Sequence, residues 1–311
     1  EEDEWVEAFG RWLQALRVRC SSVKVARGGM VHKKAGGESG NYLQSVYFQG
    51  AKLGEGAFGE VFVMLHRTLG IERVVKIINK EQLGSSDENV DSEVELLKSL
   101  DHLHIVRIYE TFDSGSTLQI VMDYADGGDL NSVLQRRKAE GQVGLGEDWA
   151  RTAAQQISAG LEYVHSKGVI HCDLKPANVM LLRAADPGKG EKPHCLLVDF
   201  GLAEIFEERS TGAHAGGQVR VKGTPLYLSP EGFEGTMSEK SDMWAVGIMI
   251  YEMLSGNRPF NEKSVFVLWS KVAKKEPDYE GLPELATKAI QALLAKDPKE
   301  RPTAREARGL E

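Results

Sequence analysis

A polar octapeptide over residues 171–178 (HCDLKPAN) and an acidic residue about twenty positions later, Asp199, constrain this chain more than any other part of its sequence. Two short apolar runs, 179–182 and 195–198, lie between them, and each has the composition of a buried strand bounded by turn residues. A hairpin of these two strands would bring Asp199 back beside the octapeptide. The pattern therefore predicts one small polar site formed by Asp173, Lys175, Asn178 and Asp199.

These four side chains have the chemistry that phosphoryl transfer requires. A carboxylate can orient an attacking hydroxyl group, and an ammonium group can screen the charge of the phosphoryl group as it moves. A second carboxylate and an amide oxygen are ligands that suit magnesium. The alternative is a surface loop with solvated charges, which the second acidic residue at this spacing disfavours.

The octapeptide resembles the H-R-D-L-K-P-E-N catalytic loop of eukaryotic protein kinases, and the sequence Asp199-Phe200-Gly201 matches their D-F-G motif. Cys172 stands where this family usually has arginine, and Ala177 stands where it usually has glutamate. The resemblance implies an α+β fold with two lobes. The N-lobe would be a small antiparallel sheet with one main helix, and the C-lobe would be mostly helical.

The same resemblance implies ATP and Mg²⁺ as cofactors and assigns roles to the polar site. Asp173 and Lys175 would be catalytic residues, and Asn178 and Asp199 would hold the metal ion. Thr224, in a Gly-Thr-Pro sequence that is typical of the end of a kinase activation segment, would hydrogen-bond to both catalytic residues.

Two further features of the resemblance are structural. Glu231 ends a Ser-Pro-Glu sequence, with serine in place of the usual alanine, and would form an ion pair with Arg301. Asp242 would brace the backbone of the catalytic loop. A buried carboxylate in that position must accept hydrogen bonds to offset the cost of its burial.

A glycine-rich sequence over residues 54–61 (GEGAFGEV) fits the pattern GxGxxGxV. That pattern alone is weak evidence, because dinucleotide-binding folds share it. Those folds need a helix after the third glycine, whereas the residues that follow here, 61–65, are β-branched and apolar and predict a strand. A strand–turn–strand flap over phosphate groups is the kinase arrangement.

Lys76 lies among apolar residues in a predicted strand over 73–78. The resemblance makes it a ligand of the α- and β-phosphates and pairs it with Glu93 on a predicted helix over 92–100. Glu95 is the alternative partner, although residues two apart on a helix point to different sides. By the same resemblance, the ATP-binding residues are Leu53, Gly54, Gly56, Gly59, Val61, Val74, Lys76, Met122, Asp123, Ala125, Asp129 and Met180.

The replacement at Ala177 bears on substrate choice. In the family, the glutamate at this position helps to bind a basic side chain of the substrate, and alanine cannot. Asp129 and Glu252 remain as acidic candidates for that contact. We therefore expect a weakened preference for arginine three residues upstream of the target hydroxyl group.

The composition is that of an ordinary globular protein, with 41% hydrophobic and 27% charged residues among 311. A net charge of −8 argues against a nucleic-acid partner, since binding to phosphate backbones relies on basic surfaces. The three cysteines are widely spaced and suggest neither a disulfide framework nor a metal site, so we expect an intracellular, cytoplasmic location. No apolar run reaches the length of a transmembrane segment.

The resemblance implies that the chain divides into an N-terminal extension over 1–46, a kinase N-lobe over 47–124 and a kinase C-lobe over 125–311. Within the extension, residues 5–16 have the spacing of an amphipathic helix, and residues 21–40 have the composition of a linker. In the C-lobe a long helix is predicted to bury one face and to end at a capping glycine. Its buried residues would be Trp149, Ile157, Leu161 and Val164, and its cap would be Gly168.

The lead-in sequence over residues 28–37 (GGMVHKKAGG) resembles the corresponding part of calcium-dependent protein kinases of plants and protozoan parasites. This narrower resemblance implies serine/threonine protein substrates and a calcium-binding regulatory domain as a partner. No calcium-binding loop pattern occurs in the sequence itself. The alternatives are a kinase of another subfamily such as the Nek type, a pseudokinase that serves as a scaffold, and a small-molecule phosphotransferase of related fold.

Overall fold

The structure is a computed structural model, and it describes residues 32–34, 42–56, 59–80, 98–200 and 224–309. The chain divides into two compact units, one formed by residues 1–82 and 108–123 and the other by residues 83–107 and 124–311. Some predictions fall outside the described residues. These are the helix over 5–16, most of the helix over 92–100 with Glu93 and Glu95, and the segment over 201–223.

The first unit contains a sheet whose strands, within the described residues, follow the order β1-β5-β6-β4-β3-β2. The predicted small sheet is therefore confirmed. Its strands are β1 (His32–Lys34), β2 (Tyr47–Gly56), β3 (Gly59–His66), β4 (Glu72–Asn79), β5 (Ile108–Asp113) and β6 (Thr117–Asp123), and a short helix, α1 (Tyr42–Val46), precedes β2.

Strand β1 differs from the prediction in two ways. It lies inside the segment predicted to be a linker, and it pairs with β5 in parallel, with His32 opposite Thr111, whereas the other pairs in the sheet are antiparallel. An edge strand such as β5 offers unpaired backbone groups that a short neighbouring segment can bind. The sequence HKK has no apolar alternation, so its pattern could not reveal this pairing.

One face of this sheet packs into a hydrophobic core. Phe62, Met64 and Val75 are buried there with residues of helix α1 and of strands β2, β5 and β6. Because successive side chains of a strand point to opposite faces, the residues between them lie on the other face. The alternation along β3 and β4 thus separates a core face from a second, partly exposed face.

The second unit is mostly helical, as predicted. Its helices are α2 (Leu130–Ala139), α3 (Glu147–His165), α4 (Pro230–Phe233), α5 (Glu239–Ser255), α6 (Val265–Lys274), α7 (Glu284–Leu293) and α8 (Ala304–Ala307), and its hairpin is formed by β7 (Val179–Leu181) and β8 (Cys195–Leu197). None of the helices in the described ranges combines the length and the apolar character that crossing a membrane requires.

Helix α3 forms the centre of this unit. Its predicted buried face is confirmed, because Trp149, Ile157, Leu161 and Val164 are all at most 5% exposed. The helix ends at His165, and Gly168 lies beyond it in the turn, where its φ of +71° is a left-handed conformation that favours glycine. The prediction of Gly168 as the cap is therefore wrong by two residues: the capping residue is Ser166, whose backbone N–H donates to the Glu162 carbonyl, and Gly168 lies in the turn that follows.

The hairpin of β7 and β8 packs directly against α3. The helix allows this close approach at Gly160, where a β-carbon would lie 2.9 Å from Leu197 Cδ1 and 3.1 Å from the carbonyl oxygen of His104. The backbone of β8 is also fixed on its other side, because Val106 N–H donates to the Leu197 carbonyl at 2.9 Å. Both contacts fix the end of β8, which leads into Asp199.

Candidate active site

Four of the predicted ATP-binding residues lie on the partly exposed face of the sheet in the first unit. Val61 pairs with Lys76 across β3 and β4, and Val74 pairs with Met122 across β4 and β6. These four residues point away from the core face that holds Val75. The register therefore places three apolar side chains and one ammonium group on the same side of one sheet.

The glycines of the predicted flap differ in what the fold demands of them. Gly59 has a φ of +152°, and a β-carbon there would lie 1.7 Å from the carbonyl oxygen of Ile77, so packing requires glycine. A β-carbon at Gly54 would meet nothing within 4 Å. Packing thus gives no reason for glycine at that position, which is consistent with a backbone that a phosphate group approaches closely.

At the end of β6, Asp123 is engaged within its own unit. Its carboxylate accepts a hydrogen bond from the hydroxyl group of Tyr109 at 2.7 Å and lies 3.4 Å from Nη1 of Arg73. The guanidinium group of Arg73 in turn stacks on the Tyr109 ring at 3.7 Å. These contacts fix the strand end whose backbone carbonyl is predicted to meet adenine. Leu53, also predicted to bind ATP, is 52% exposed.

In the second unit the hairpin brings the two halves of the predicted polar site together. Strands β7 and β8 pair with Val179 opposite Leu197, and Val198 N–H donates to the Asn178 carbonyl at 3.0 Å. Asp199 is the next residue, so its backbone lies beside that of Asn178. The hairpin and the juxtaposition predicted from the two apolar runs are both present.

A network of short hydrogen bonds joins Asp173, Lys175 and Thr224. Lys175 Nζ lies 2.5 Å from Asp173 Oδ2 and 2.9 Å from the Thr224 hydroxyl oxygen. The backbone N–H and the hydroxyl group of Thr224 both donate to Asp173 Oδ1 at 3.0 Å. Both carboxylate oxygens therefore have fixed partners, and the predicted hydrogen bonds of Thr224 are present.

The donor set beside this network suits a small divalent cation. Asn178 is buried, and its Nδ2 donates to the Asp173 carbonyl at 2.8 Å and lies 3.3 Å from Asp173 Oδ2, which leaves the amide oxygen as a ligand. Asp199 is exposed, with a φ of +58°. In the described ranges no group of three or more His, Cys, Asp or Glu side chains is placed to hold a metal ion. Magnesium typically needs only one or two protein oxygens, the others coming from phosphates and water.

The backbone of the catalytic loop is held by the carboxylate of Asp242, from helix α5. Oδ2 accepts from His171 N–H at 2.9 Å and Oδ1 accepts from Cys172 N–H at 3.0 Å. Cys172 has a φ of +65°, a left-handed conformation that costs a non-glycine residue on the order of 1–3 kcal/mol. The two hydrogen bonds to Asp242 hold the loop in this conformation, as predicted.

His165 contributes a contact that the sequence did not indicate. It is the last residue of α3, and its Nε2 donates to Asp242 Oδ2 at 2.8 Å. The periodicity of α3 marks only its apolar face, and the partner lies 77 positions away in the sequence. No local pattern could therefore have identified this histidine.

Asp129, predicted to contact the ribose of ATP, has a structural role in this unit. Its carboxylate caps helix α2, with Oδ1 accepting from Ser132 N–H at 2.8 Å and Oδ2 from the Ser132 hydroxyl group at 2.9 Å. Met180 lies opposite Asp129 in an isolated backbone bridge and is partly buried, whereas Ala125 is buried. A contact to ribose would have to compete with, or share, the capping hydrogen bonds.

A buried ion pair fixes the segment that follows Thr224. The guanidinium group of Arg301 is fully buried and binds the Glu231 carboxylate through two bonds of 2.7 and 2.8 Å. Burial by itself would raise the pKa of Glu231, but the hydrogen bond and charge of Arg301 outweigh it and hold the pKa below its ordinary value. The predicted ion pair is present.

The fold and the arrangement of this polar site are those of the protein kinase class. Residues 47–309 match the family described as "Protein kinase domain", and the chain belongs to that family. It is 32% identical over 265 residues to CBL-interacting protein kinase 25 of Oryza sativa subsp. japonica, which covers 83% of this chain and 49% of that protein. It is 32% identical over 279 residues to calcium-dependent protein kinase 4 of Plasmodium falciparum, covering 87% of this chain and 50% of that protein.

A third relative is mouse serine/threonine-protein kinase 33, which is 29% identical over 278 residues, covering 86% of this chain and 55% of that protein. The chain thus spans about half the length of the curated relatives it matches. The recognition of a kinase domain with serine/threonine kinase relatives, including calcium-dependent ones, is confirmed, as is the α+β fold class.

The Glu231–Arg301 pair gives a prediction for stability. Replacing Glu231 by glutamine should lower the free energy of unfolding at pH 7 by about 3–5 kcal/mol, because Arg301 is left buried without its partner charge. Since the folded-state pKa of Glu231 is lowered, its contribution is present above the ordinary value of 4.5 and is lost as the pH falls below it. The difference between the wild type and Glu231→Gln should therefore shrink at lower pH.

Urea denaturation at pH 7 and at successively lower pH would measure this difference. Glu284→Gln is the matched control, because Glu284 pairs with Lys288 in an exposed i,i+4 contact and should have little effect at either pH. A Glu231→Gln variant as stable as the wild type at pH 7 would contradict the assignment.

Proposed function

We propose that this kinase domain transfers the γ-phosphoryl group of ATP to serine or threonine hydroxyl groups of protein substrates. The observation that supports this most strongly is the network of Asp173, Lys175 and Thr224, in which a carboxylate, an ammonium group and a hydroxyl group are held within 3.0 Å of one another. A hydroxyl nucleophile needs a carboxylate of fixed orientation, and the phosphoryl group needs a nearby cation.

Asp173 would accept the hydrogen bond of the attacking hydroxyl and so orient its oxygen toward the phosphoryl group. Its carboxylate cannot rotate freely, because Thr224 holds one oxygen and Lys175 the other. Lys175 lies beside it and would stabilise negative charge that develops on the phosphoryl oxygens. Thr224 would act as a positioning residue for both.

Asn178 and Asp199 would hold magnesium, which supplies charge neutralisation at the phosphates when it is bound. The amide oxygen of Asn178 is oriented by the hydrogen bond from its own Nδ2 to the Asp173 backbone. That bond couples the metal ligand to the loop that carries the proposed base. The two functions of the loop would thus depend on one backbone geometry.

The nucleotide would be held by the residues that the kinase resemblance assigns to it. Lys76 would bind the α- and β-phosphates with Glu93 as its partner, and the flap glycines would approach the phosphates. The partly exposed sheet face would contact the adenine, and the backbone of Asp123 and Ala125 would meet its polar edge. The full proposed set is Leu53, Gly54, Gly56, Gly59, Val61, Val74, Lys76, Met122, Asp123, Ala125, Asp129 and Met180.

Substitutions in the network of Asp173, Lys175 and Thr224 should lower the rate of phosphoryl transfer while the protein still folds. Asp173→Asn keeps the shape of the side chain but removes the charge that orients the hydroxyl, so kcat should fall by about a hundredfold or more. Asp199→Asn should have a similar effect through the loss of a metal ligand. Thr224→Val should also lower kcat, whereas Thr224→Ser should retain most of it because the hydroxyl group is kept.

The measurement is incorporation of phosphate from magnesium-ATP into two generic protein substrates, one basic and one acidic, with identification of the modified residue. Asp148→Asn is the control, because that side chain is 97% exposed and makes only a 3.8 Å contact with Arg151. Unchanged turnover in Asp173→Asn would contradict the role of the base. A folded wild type that transfers no phosphate would favour a scaffold, and phosphotyrosine as the main product would contradict serine/threonine specificity.

We infer, from the names of its relatives, that the domain works with a calcium-binding regulatory protein or domain. Two relatives are named for calcium dependence or for interaction with a partner protein, and residues 1–311 contain no calcium-binding loop pattern. Activity of residues 1–311 should therefore be the same in chelator and in micromolar calcium. Direct activation by calcium would show that these residues bind the ion themselves.

A further inference from the structure

A second polar cluster, formed by Tyr227, Glu252 and Arg258, lies close to the proposed catalytic residues. Thr224, which binds Asp173, is followed directly by a 3-10 turn over Pro225–Tyr227. Tyr227 and Asp173 line the same cavity of the second unit. The turn and the tyrosine ring together span on the order of 10 Å, a distance that about three residues of an extended peptide cover.

Glu252 is the acidic member of this cluster, and its carboxylate is largely buried. It lies on helix α5 and is only 8% exposed. The Tyr227 hydroxyl group donates to Oε2 at 2.6 Å, and Nε of Arg258 lies 3.8 Å from Oε1. Burial raises the pKa of Glu252, in spite of these two partners. Glu252 is therefore poorly placed to receive a basic side chain of a substrate.

Arg258 is the accessible member. Its side chain is 30% exposed, and its 3.8 Å separation from Glu252 is an ion pair that is too long for a hydrogen bond. A guanidinium group has five N–H donors in a planar fork that matches a carboxylate. The contact with Glu252 thus orients Arg258 while leaving it capacity for a second anion.

A second cation strengthens the positive charge at this place. Lys138, exposed at the end of α2, has its Nζ 3.5 Å from the side-chain oxygen of Asn257, the residue before Arg258. Two cations therefore face one buried carboxylate. Ala177, exposed beside Asn178, adds no acidic group. This local excess of positive charge contrasts with the net charge of −8 of the whole chain.

We propose that Arg258, supported by Lys138, forms a subsite that binds an acidic side chain of the protein substrate about three residues from the target hydroxyl group. This inference rests on the proposed kinase function and names the substrate class that the same site prefers. Glu252 and Tyr227 position the guanidinium group, and the substrate carboxylate completes its hydrogen bonds. The subsite should therefore favour an acidic residue, and disfavour a basic residue, at this position of the substrate.

The test is a measurement of kcat/KM for a series of peptides that each contain one serine or threonine. Aspartate, alanine or arginine is placed in turn at each position that flanks this residue. At one position about three residues from the target, aspartate should raise kcat/KM about tenfold over alanine, as one charge-assisted hydrogen bond allows. Arginine at that position should lower it. Arg258→Gln should abolish the aspartate advantage, so that the aspartate and alanine peptides have the same kcat/KM.

Arg151→Gln is the matched control, because Arg151 is a partly exposed arginine paired with Glu147 on the surface of α3. It should keep the full aspartate preference. An Arg258→Gln variant that slows all peptides equally would mean that Arg258 has only a structural role and would overturn the proposal. Phosphorylation of the peptides with no preference for aspartate at any position would also overturn it. If no peptide is phosphorylated by the wild type, it is the proposed kinase function that fails.

Discussion

The carboxylate of Asp242 is the contact on which the proposed active site depends. It is 1% exposed and accepts hydrogen bonds from the backbone of His171 and Cys172 and from the ring of His165. A buried charge is tolerated only when hydrogen bonds replace its hydration, and three donors supply this here. In return, Asp242 fixes the backbone at the start of the catalytic loop.

The rest of the site follows from that fixed start. The loop continues through Asp173 to Asn178, whose carbonyl receives the N–H of Val198 and so aligns the end of β8. Thr224 then reaches Asp173 from a segment held by the buried pair of Glu231 and Arg301. The two residues proposed to hold magnesium, Asn178 on the catalytic loop and Asp199 after β8, are therefore positioned by hydrogen bonds between distant parts of the chain. The α-helices α3 and α5 provide the rigid support, because both are largely buried.

The sequence indicated the elements of this site better than their contacts. The two apolar runs predicted the β7–β8 hairpin because a short buried strand has a local signature, and the buried face of α3 followed from its period. Local patterns carry no information about partners far away in the chain. Asp129 has the position of a ribose ligand in the motif, yet its carboxylate caps α2. Strand β1 has no strand-like pattern, and it forms because the edge of β5 is available to it.

The sequence could not predict which charged side chains near the active site are buried and which are exposed. Glu252 was a candidate for binding a basic side chain, but it is buried and engaged by Tyr227. The accessible charge beside it is Arg258, whose role depends on the 3.8 Å contact between the two side chains. A single residue type at a motif position predicts chemistry only if its neighbours leave it exposed.

Amide hydrogen exchange at His171 and Cys172 tests the central claim, which is that Asp242 holds the catalytic loop. In the wild type both amides should exchange as slowly as those in the middle of helix α3, because both are bonded to a buried carboxylate. In Asp242→Asn only one side-chain oxygen remains for three donors, so at least one of the two amides should exchange about a hundredfold faster while the α3 amides stay protected. Unchanged protection at both loop amides in that variant would contradict the account.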